Sequence, residues 1–130
     1  MIDSIGNVSI FVSDQDRAKR FYTEVLGCEL LHDAPVRPGS DVRWVAVIPA
    51  RGGTEIALLK PHDTFRHFEH AVGKPQAIIF NVSGMDKVEA DLKAKGVSFV
   101  QGPEAESWGT YAVILDSEGN ELMLVEKTPS

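Results

Sequence analysis

Two stretches of the chain carry the same pattern of apolar and polar positions. Asn7-Val8-Ser9-Ile10-Phe11-Val12-Ser13-Asp14-Gln15-Asp16 recurs as Ala77-Ile78-Ile79-Phe80-Asn81-Val82-Ser83-Gly84-Met85-Asp86. Each is an alternating apolar run closed by Val-Ser-x-x-Asp. The period of two predicts a half-buried strand. The Ser-x-x-Asp behind it predicts a helix start, with the Ser hydroxyl accepting from a free backbone N–H and the Asp at the positive end of the helix dipole. A strand-to-helix junction recurring at fixed spacing predicts two copies of one supersecondary unit.

The rest of the pattern fills in around these junctions. The first strand is expected over Ile5 to Val12, with Val8, Ile10 and Val12 on one face and Asn7, Ser9 and Phe11 on the other. A helix from Asp14 to Leu26 follows, because Ala18, Phe21, Tyr22 and Val25 form one buried stripe and Gly27 stands where a C-terminal cap belongs. Further strands are expected at Glu29 to Asp33, Val42 to Ile48 and Thr54 to Leu59, separated by the turn-rich Pro35-Val36-Arg37-Pro38-Gly39-Ser40 and Pro49-Ala50-Arg51-Gly52-Gly53. Residues 61 to 75 connect to the second copy, with a short helix expected from Asp63 to Val72. The second copy repeats the order: a strand from Gln76 to Val82, a helix from Met85 to Lys95 capped by Gly96, and strands at Val97 to Gln101, Trp108 to Leu115 and Glu121 to Glu126. Gly102-Pro103-Glu104-Ala105-Glu106 is expected as a loop, Asp116-Ser117-Glu118-Gly119-Asn120 as a turn, and Thr128-Pro129-Ser130 as a tail.

This order predicts an α+β fold of two βαβββ modules, residues 4–60 and 76–127, within a single domain of 130 residues. Each helix covers one face of its sheet. The opposite faces, to judge from Asn7, Ser9 and Phe11, are too mixed for a packed core. Two such sheets facing each other would enclose a cleft, a natural ligand site.

Composition excludes several roles. The chain is 43% apolar and has a net charge of −6, its 13 Lys and Arg are scattered, and it has no long apolar run. No nucleic-acid footprint and no membrane span are expected. The start Met1-Ile2-Asp3-Ser4 lacks the basic region of a signal peptide. The single Cys28 has no disulfide partner within the chain, which fits a reducing cytoplasm, and reads as a small apolar residue rather than a nucleophile.

Simple candidates for chemistry are weak. His62, His67 and His70 cluster in the connector, where a solvated polar segment is a better reading than a metal site, because no Cys or carboxylate completes a recognised spacing. Asp14, Asp16 and Asp86 read as helix-start residues, Glu118 and Glu121 as exposed residues flanking a turn, and Arg51-Gly52-Gly53 as a hairpin turn rather than a phosphate loop.

The combination Asn7-Val8-x-Ile10-x-Val12-x-Asp14, Phe21-Tyr22-x-x-x-Leu26-Gly27, Trp108-Gly109 and Asp116-x-x-Gly119-Asn120-x-Leu122-x-Leu124 resembles the vicinal oxygen chelate superfamily. That superfamily includes glyoxalase I, extradiol dioxygenases, methylmalonyl-CoA epimerase and the fosfomycin- and bleomycin-resistance proteins. The likeness covers Ile5 to Glu126. It implies paired βαβββ modules, each a curled mixed sheet, usually enclosing a metal site. Carried over position by position, the four usual ligand places fall on Asn7, Ala57, Ala77 and Met123. A divalent cation needs anionic or imidazole ligands. Alanine offers none, a thioether is a poor partner for Zn, Mg or Mn, and one neutral amide cannot hold the ion.

By alternation, the faces that carry those four places also carry Ser9, Phe11, Glu55 and Asn81. Trp44, Trp108 and Tyr111 add aromatic surface. The expected pocket, Asn7, Ser9, Phe11, Trp44, Glu55, Asn81, Trp108, Tyr111 and Met123, suits a flat or amphipathic small molecule. The expectation is therefore a metal-free small-molecule binding protein resembling the bleomycin-resistance type, without a cofactor and as a homodimer. The alternatives are a glyoxalase-like lyase, isomerase or dioxygenase using displaced ligands, with Glu55 or Glu121 as base or ligand to a divalent metal, and a domain with a vestigial cleft that associates with a partner.

Overall fold

A computed structural model describes residues 1–62 and 68–128. The chain divides into two compact units, Met1–Val72 and Gly73–Ser130.

In the first unit, β1 (Asn7–Phe11) leads into α1 (Gln15–Arg20), whose last turns widen into a π-helical segment, Phe21–Val25. Strands β2 (Glu29–Pro35), β3 (Arg43–Ile48) and β4 (Glu55–Leu59) complete a sheet of order β1-β4-β3-β2. β1 and β4 are parallel and the other pairs antiparallel. The second unit repeats this with β5 (Pro75–Asn81), α2 (Met85–Ala94), β6 (Phe99–Glu106), β7 (Gly109–Leu115) and β8 (Glu121–Lys127), in the order β5-β8-β7-β6. The expected α+β fold of two βαβββ modules is what is found, each module with one four-stranded mixed sheet.

The repeat extends to individual bonds. Val12 N–H donates to the Leu59 carbonyl at 2.9 Å, and its counterpart Val82 N–H donates to Val125 at 2.9 Å. Gly27 and Gly96 both take positive φ, 77° and 84°, and close their helices in the left-handed conformation that costs glycine least.

The helix starts differ from expectation. The cap of α1 is Asp14 rather than Ser13, its carboxylate accepting from Arg17 N–H at 3.0 Å. In the second copy the equivalent place is Gly84, with φ 73°, which has no side chain to cap with. Glu126 of β8 reaches across instead and accepts from Gly84 N–H at 2.6 Å and Met85 N–H at 3.2 Å.

Three boundaries also move. The helix expected from Asp14 to Leu26 is α-helical only to Arg20. Of the expected stripe, Ala18 and Tyr22 are buried, while Phe21 and Val25 in the π-helical segment are only half-buried. β2 runs on to Pro35. The segment expected as a loop at 102–106 is instead the second half of β6. Register shifts between Phe99 and Gln101 and between Gln101 and Glu104 let the strand absorb Gly102-Pro103, joined by a cis peptide bond. Gly102 is required there: a Cβ would lie 2.6 Å from the Tyr111 carbonyl oxygen. Of the helix expected from Asp63 to Val72, residues 63–67 lie outside the described residues, as does His67; a short helical turn occupies 68–71.

Each unit buries one sheet face under its helix. In the first, Ile10, Val12, Val45, Val47, Ile56 and Leu58 meet Ala18 and Tyr22; in the second, Ala112, Ile114, Leu122 and Leu124 meet Met85 and Leu92. Gln15 stitches the first unit. Its buried amide donates to the carbonyls of Arg43 (2.6 Å) and Leu58 (2.9 Å) and accepts from Arg43 N–H at 3.1 Å.

The signature Asp116-x-x-Gly119-Asn120 is a structural clasp. The Asp116 carboxylate accepts from Glu118 N–H, Asn120 N–H and the Asn120 side-chain amide at 2.8 to 2.9 Å. The Asn120 side-chain oxygen Oδ1 accepts from Gly73 N–H at 2.7 Å and from the Gln76 amide at 3.2 Å. One buried turn thus joins β7 to β8 and pins the entry to β5.

Candidate functional site

The sheet faces away from the helices hold the expected site residues, and the two units treat theirs differently. In the first unit, register pairs Asn7 with Glu55, Ser9 with Ala57 and Phe11 with Leu59. Asn7 and Ser9 are exposed and Glu55 is half-buried. Phe11 is not open to a ligand: its ring stacks on Phe68 with centroids 4.5 Å apart and planes 10° apart. Phe11, Ala57 and Leu59 form a small core, against which Trp44, Phe68, Ala71 and Val72 pack. Trp44 therefore serves as packing here, and the apolar end of this face is sealed by the unit's own residues.

In the second unit the corresponding face is open. Register aligns Ile79 with Met123, Asn81 with Val125, Tyr111 with Val125, and Val113 with Met123. Ile79, Asn81, Trp108, Met123, Val125, Lys127 and Thr128 line one concavity of about 500 Å³. Ile79 and Trp108 keep 60% and 48% of their surface exposed, far more than buried packing residues would. Of the residues expected from sequence, Asn81, Trp108 and Met123 come together here, with Tyr111 directly behind Trp108.

Trp108 is placed by its neighbour. Gly109 has φ 150°, and a Cβ there would run into the Glu126 carbonyl and the Lys127 Cα. Only glycine lets β7 lie this close to β8. Trp108 is thereby held at the rim, its carbonyl accepting from Thr128 N–H at 3.1 Å. The indole stacks on Tyr111, centroids 5.7 Å apart and planes 27° apart. Tyr111 is in turn anchored: its hydroxyl donates to Glu104 at 2.8 Å and accepts from Gln101 at 2.7 Å. The Glu104 carboxylate, by accepting that hydrogen bond, raises the phenol above its ordinary pKa.

Ile79, Val125, Lys127 and Thr128 were not among the expected site residues. Alternation does place Ile79 with Asn81 and Val125 with Met123. Lys127 lies one residue beyond the strand end expected at Glu126, since β8 runs on to it.

The four positions that the resemblance assigns to metal ligands remain Asn7, Ala57, Ala77 and Met123. Ala57 is fully buried among apolar side chains. Asn7 and Glu55, adjacent in the first sheet, supply one amide and one carboxylate. A donor set of two alanines, a thioether and an amide does not fit a divalent cation. Among the described residues, no group of three or more His, Cys, Asp or Glu is placed to hold a metal ion. Nor is Cys28 a ready nucleophile: burial pushes its thiol up to about 11, which leaves little thiolate at neutral pH.

The model of the glyoxalase/bleomycin resistance protein/dioxygenase superfamily matches residues 4–124. The chain belongs to this superfamily. Among solved structures of similar fold is TnmS3, an antibiotic-binding protein from Streptomyces sp. CB03234, 30% identical over 98% of both chains with a TM-score of 0.80. UcmS2 is 31% identical over 98% of this chain and 100% of its own, also with a TM-score of 0.80. The uncharacterized protein YurT of Bacillus subtilis (strain 168) is 36% identical over 92% of this chain and 95% of its own. No helix among the described residues is long and apolar enough to cross a membrane.

Proposed function

We propose that this superfamily member is a binding protein for a small organic molecule with an aromatic ring system, and that it works by burial and stacking rather than by metal-assisted chemistry. The observation that carries the reading is the open, Trp108-walled concavity of the second unit. Its volume of about 500 Å³ falls within the range of about 300–1,000 Å³ usual for small-molecule sites. An exposed indole backed by a fixed tyrosine costs little entropy to order on binding, since the wall is already built. The donor set at the superfamily's ligand positions supports the metal-free part, and the antibiotic-binding relative TnmS3 supports the ligand class. We further propose a homodimer in the cytoplasm, on the resemblance and on the lone thiol of Cys28; sedimentation velocity tests the first and fractionation the second.

The binding test is a thermal-shift screen of aromatic antibiotics and metabolites, followed by titration of each hit against wild type and Trp108→Ala. Ring geometry contributes about 0.5–1.5 kcal/mol beyond the apolar area covered. Trp108→Ala should therefore weaken a true ligand at least about tenfold. Unchanged affinity in that variant would refute stacking on Trp108. Elemental analysis addresses the other half: stoichiometric Zn, Ni, Mn or Fe in the purified protein would overturn the metal-free reading.

A further inference from the structure

We infer that the molecule held at this face is an aromatic organic anion, its ring laid on Trp108 and its acidic group paired with Lys127; the inference rests on the proposed binding function and specifies its ligand class. The chain carries a net charge of −6, yet among the described residues the only charged one lining the concavity is a cation. Lys127 continues the open face of β8 beyond Met123 and Val125, as its register with Gly109 places it. Among the described residues it forms no ion pair. Glu106, in register with Gly109 one strand further out, makes no ion pair with it among the described residues, and two neighbouring carboxylates are engaged elsewhere. Glu126, the preceding residue, points to the helix side and accepts from the Gly84 and Met85 N–H groups at 2.6 and 3.2 Å. Glu104 is held by the Tyr111 hydroxyl at 2.8 Å.

What remains is an unneutralised ammonium at the edge of an apolar, aromatic depression floored by Ile79, Met123 and Val125. A carboxylate, sulfonate or phenolate on a ring seated against Trp108 gains a charge-assisted hydrogen bond there. The Asn81 amide offers a further donor at the same wall. A cationic ligand of the same shape meets repulsion instead, so the same residue both selects and rejects.

The test uses three probes of one shape: anthracene-9-carboxylate, its neutral carboxamide, and 9-anthrylmethylammonium. Each is titrated calorimetrically into the full-length protein at low salt. Wild type should prefer the carboxylate over the carboxamide by about tenfold, with the ammonium weakest. The preference should shrink as ionic strength rises. Lys127→Met should erase the carboxylate's advantage over the carboxamide, with circular dichroism showing the fold intact, because Lys127 is exposed at a strand end. Equal affinity for carboxylate and carboxamide in wild type, or an advantage that survives in Lys127→Met, would overturn the anion inference. If all three bind alike and each loses affinity in Trp108→Ala, the aromatic-binding function stands while this inference falls. If none binds wild type, both fall.

Discussion

Replacing Asn120 by Ala removes the residue at which the hairpin of the second unit is fastened to its first strand. Asn120 is fully buried and Asp116 is 7% exposed, so the bonds lost are not readily replaced by water. The largest loss is the bond from the Asn120 amide to the Asp116 carboxylate, 2.9 Å long and buried. A bond to a charged group is worth about 1.5–3 kcal/mol. Gly73 N–H loses its acceptor at 2.7 Å; it is only partly buried, so about 0.5–1 kcal/mol is reasonable. The bond to Gln76, at 3.2 Å and partly exposed, adds little. The sum is about 2–4 kcal/mol, or a fall in Tm of about 10 °C for a chain of this length. Urea unfolding followed by circular dichroism measures the first quantity and calorimetry the second. Asn120→Asp is the sharper control. It keeps the acceptor for Gly73 but replaces the donor to Asp116 with a second carboxylate, so at neutral pH it should be no more stable than Asn120→Ala. A cost below about 1 kcal/mol for Asn120→Ala, or a fully stable Asn120→Asp, would refute the clasp.

Two further outcomes follow from titrating groups. Lys19, by its 2.7 Å bond to Asp33, and then Arg43 hold the Asp33 carboxyl below its ordinary value, against some opposing desolvation. A depressed folded value means the stabilisation is fully present above the unfolded value near pH 4 and is lost as pH falls through the folded one. Asp33→Asn should therefore cost less than about 1 kcal/mol at neutral pH, as expected for exposed pairs, and its stability should converge on wild type in acid; a constant gap across the acid limb would refute it. Cys28, pushed up to about 11 by burial, should alkylate slowly with iodoacetamide at pH 8 and speed up only towards pH 11, whereas a rate matching a free thiol would contradict that environment.

The fold was legible because its signals are local and doubled. Alternation, a helix stripe and a capping glycine occur twice at one spacing, and Gly27 and Gly96 both do what their position suggested. Elements that depend on distant partners were not legible. Nothing in Gly84-Met85-Asp86 says that Glu126 will cap that helix. Gly102-Pro103 has the composition of a loop, and only pairing with β7 makes it part of a strand. The site was legible in the same measure. Period two placed Asn81, Met123 and Trp108 near one another in the second unit. Phe11 and Trp44 carry the same residue-type signal as Trp108, but the packing of Phe68 against Phe11 is a tertiary fact that no pattern announces. Lys127 was hidden because two charged residues in succession look like the end of a strand.

That difference between Phe11 and Trp108 bears on the binding role proposed for the open face of the second unit. A sheet covered by a helix on one side must leave its other side as exposed apolar surface, cover it, or use it. The first unit covers the apolar end of its face: Phe68 lies flat on Phe11, and Ala57 and Leu59 are buried with it. The second unit leaves Ile79 and Trp108 exposed, although Gly109, Tyr111, Gln101 and Glu104 all act to hold that indole in place. Fixing a large ring at a rim lowers the entropy lost when something is laid on it. It gives no stability to the unbound fold comparable with burying the ring. The hydrogen bonds behind Trp108 are therefore better explained by recognition than by folding. The same logic separates two roles within the repeat: Gly27, Gly96 and Asn120 hold the architecture, while Ala57, Ala77 and Met123, the places that the resemblance assigns to metal ligands, carry no anionic or imidazole donor.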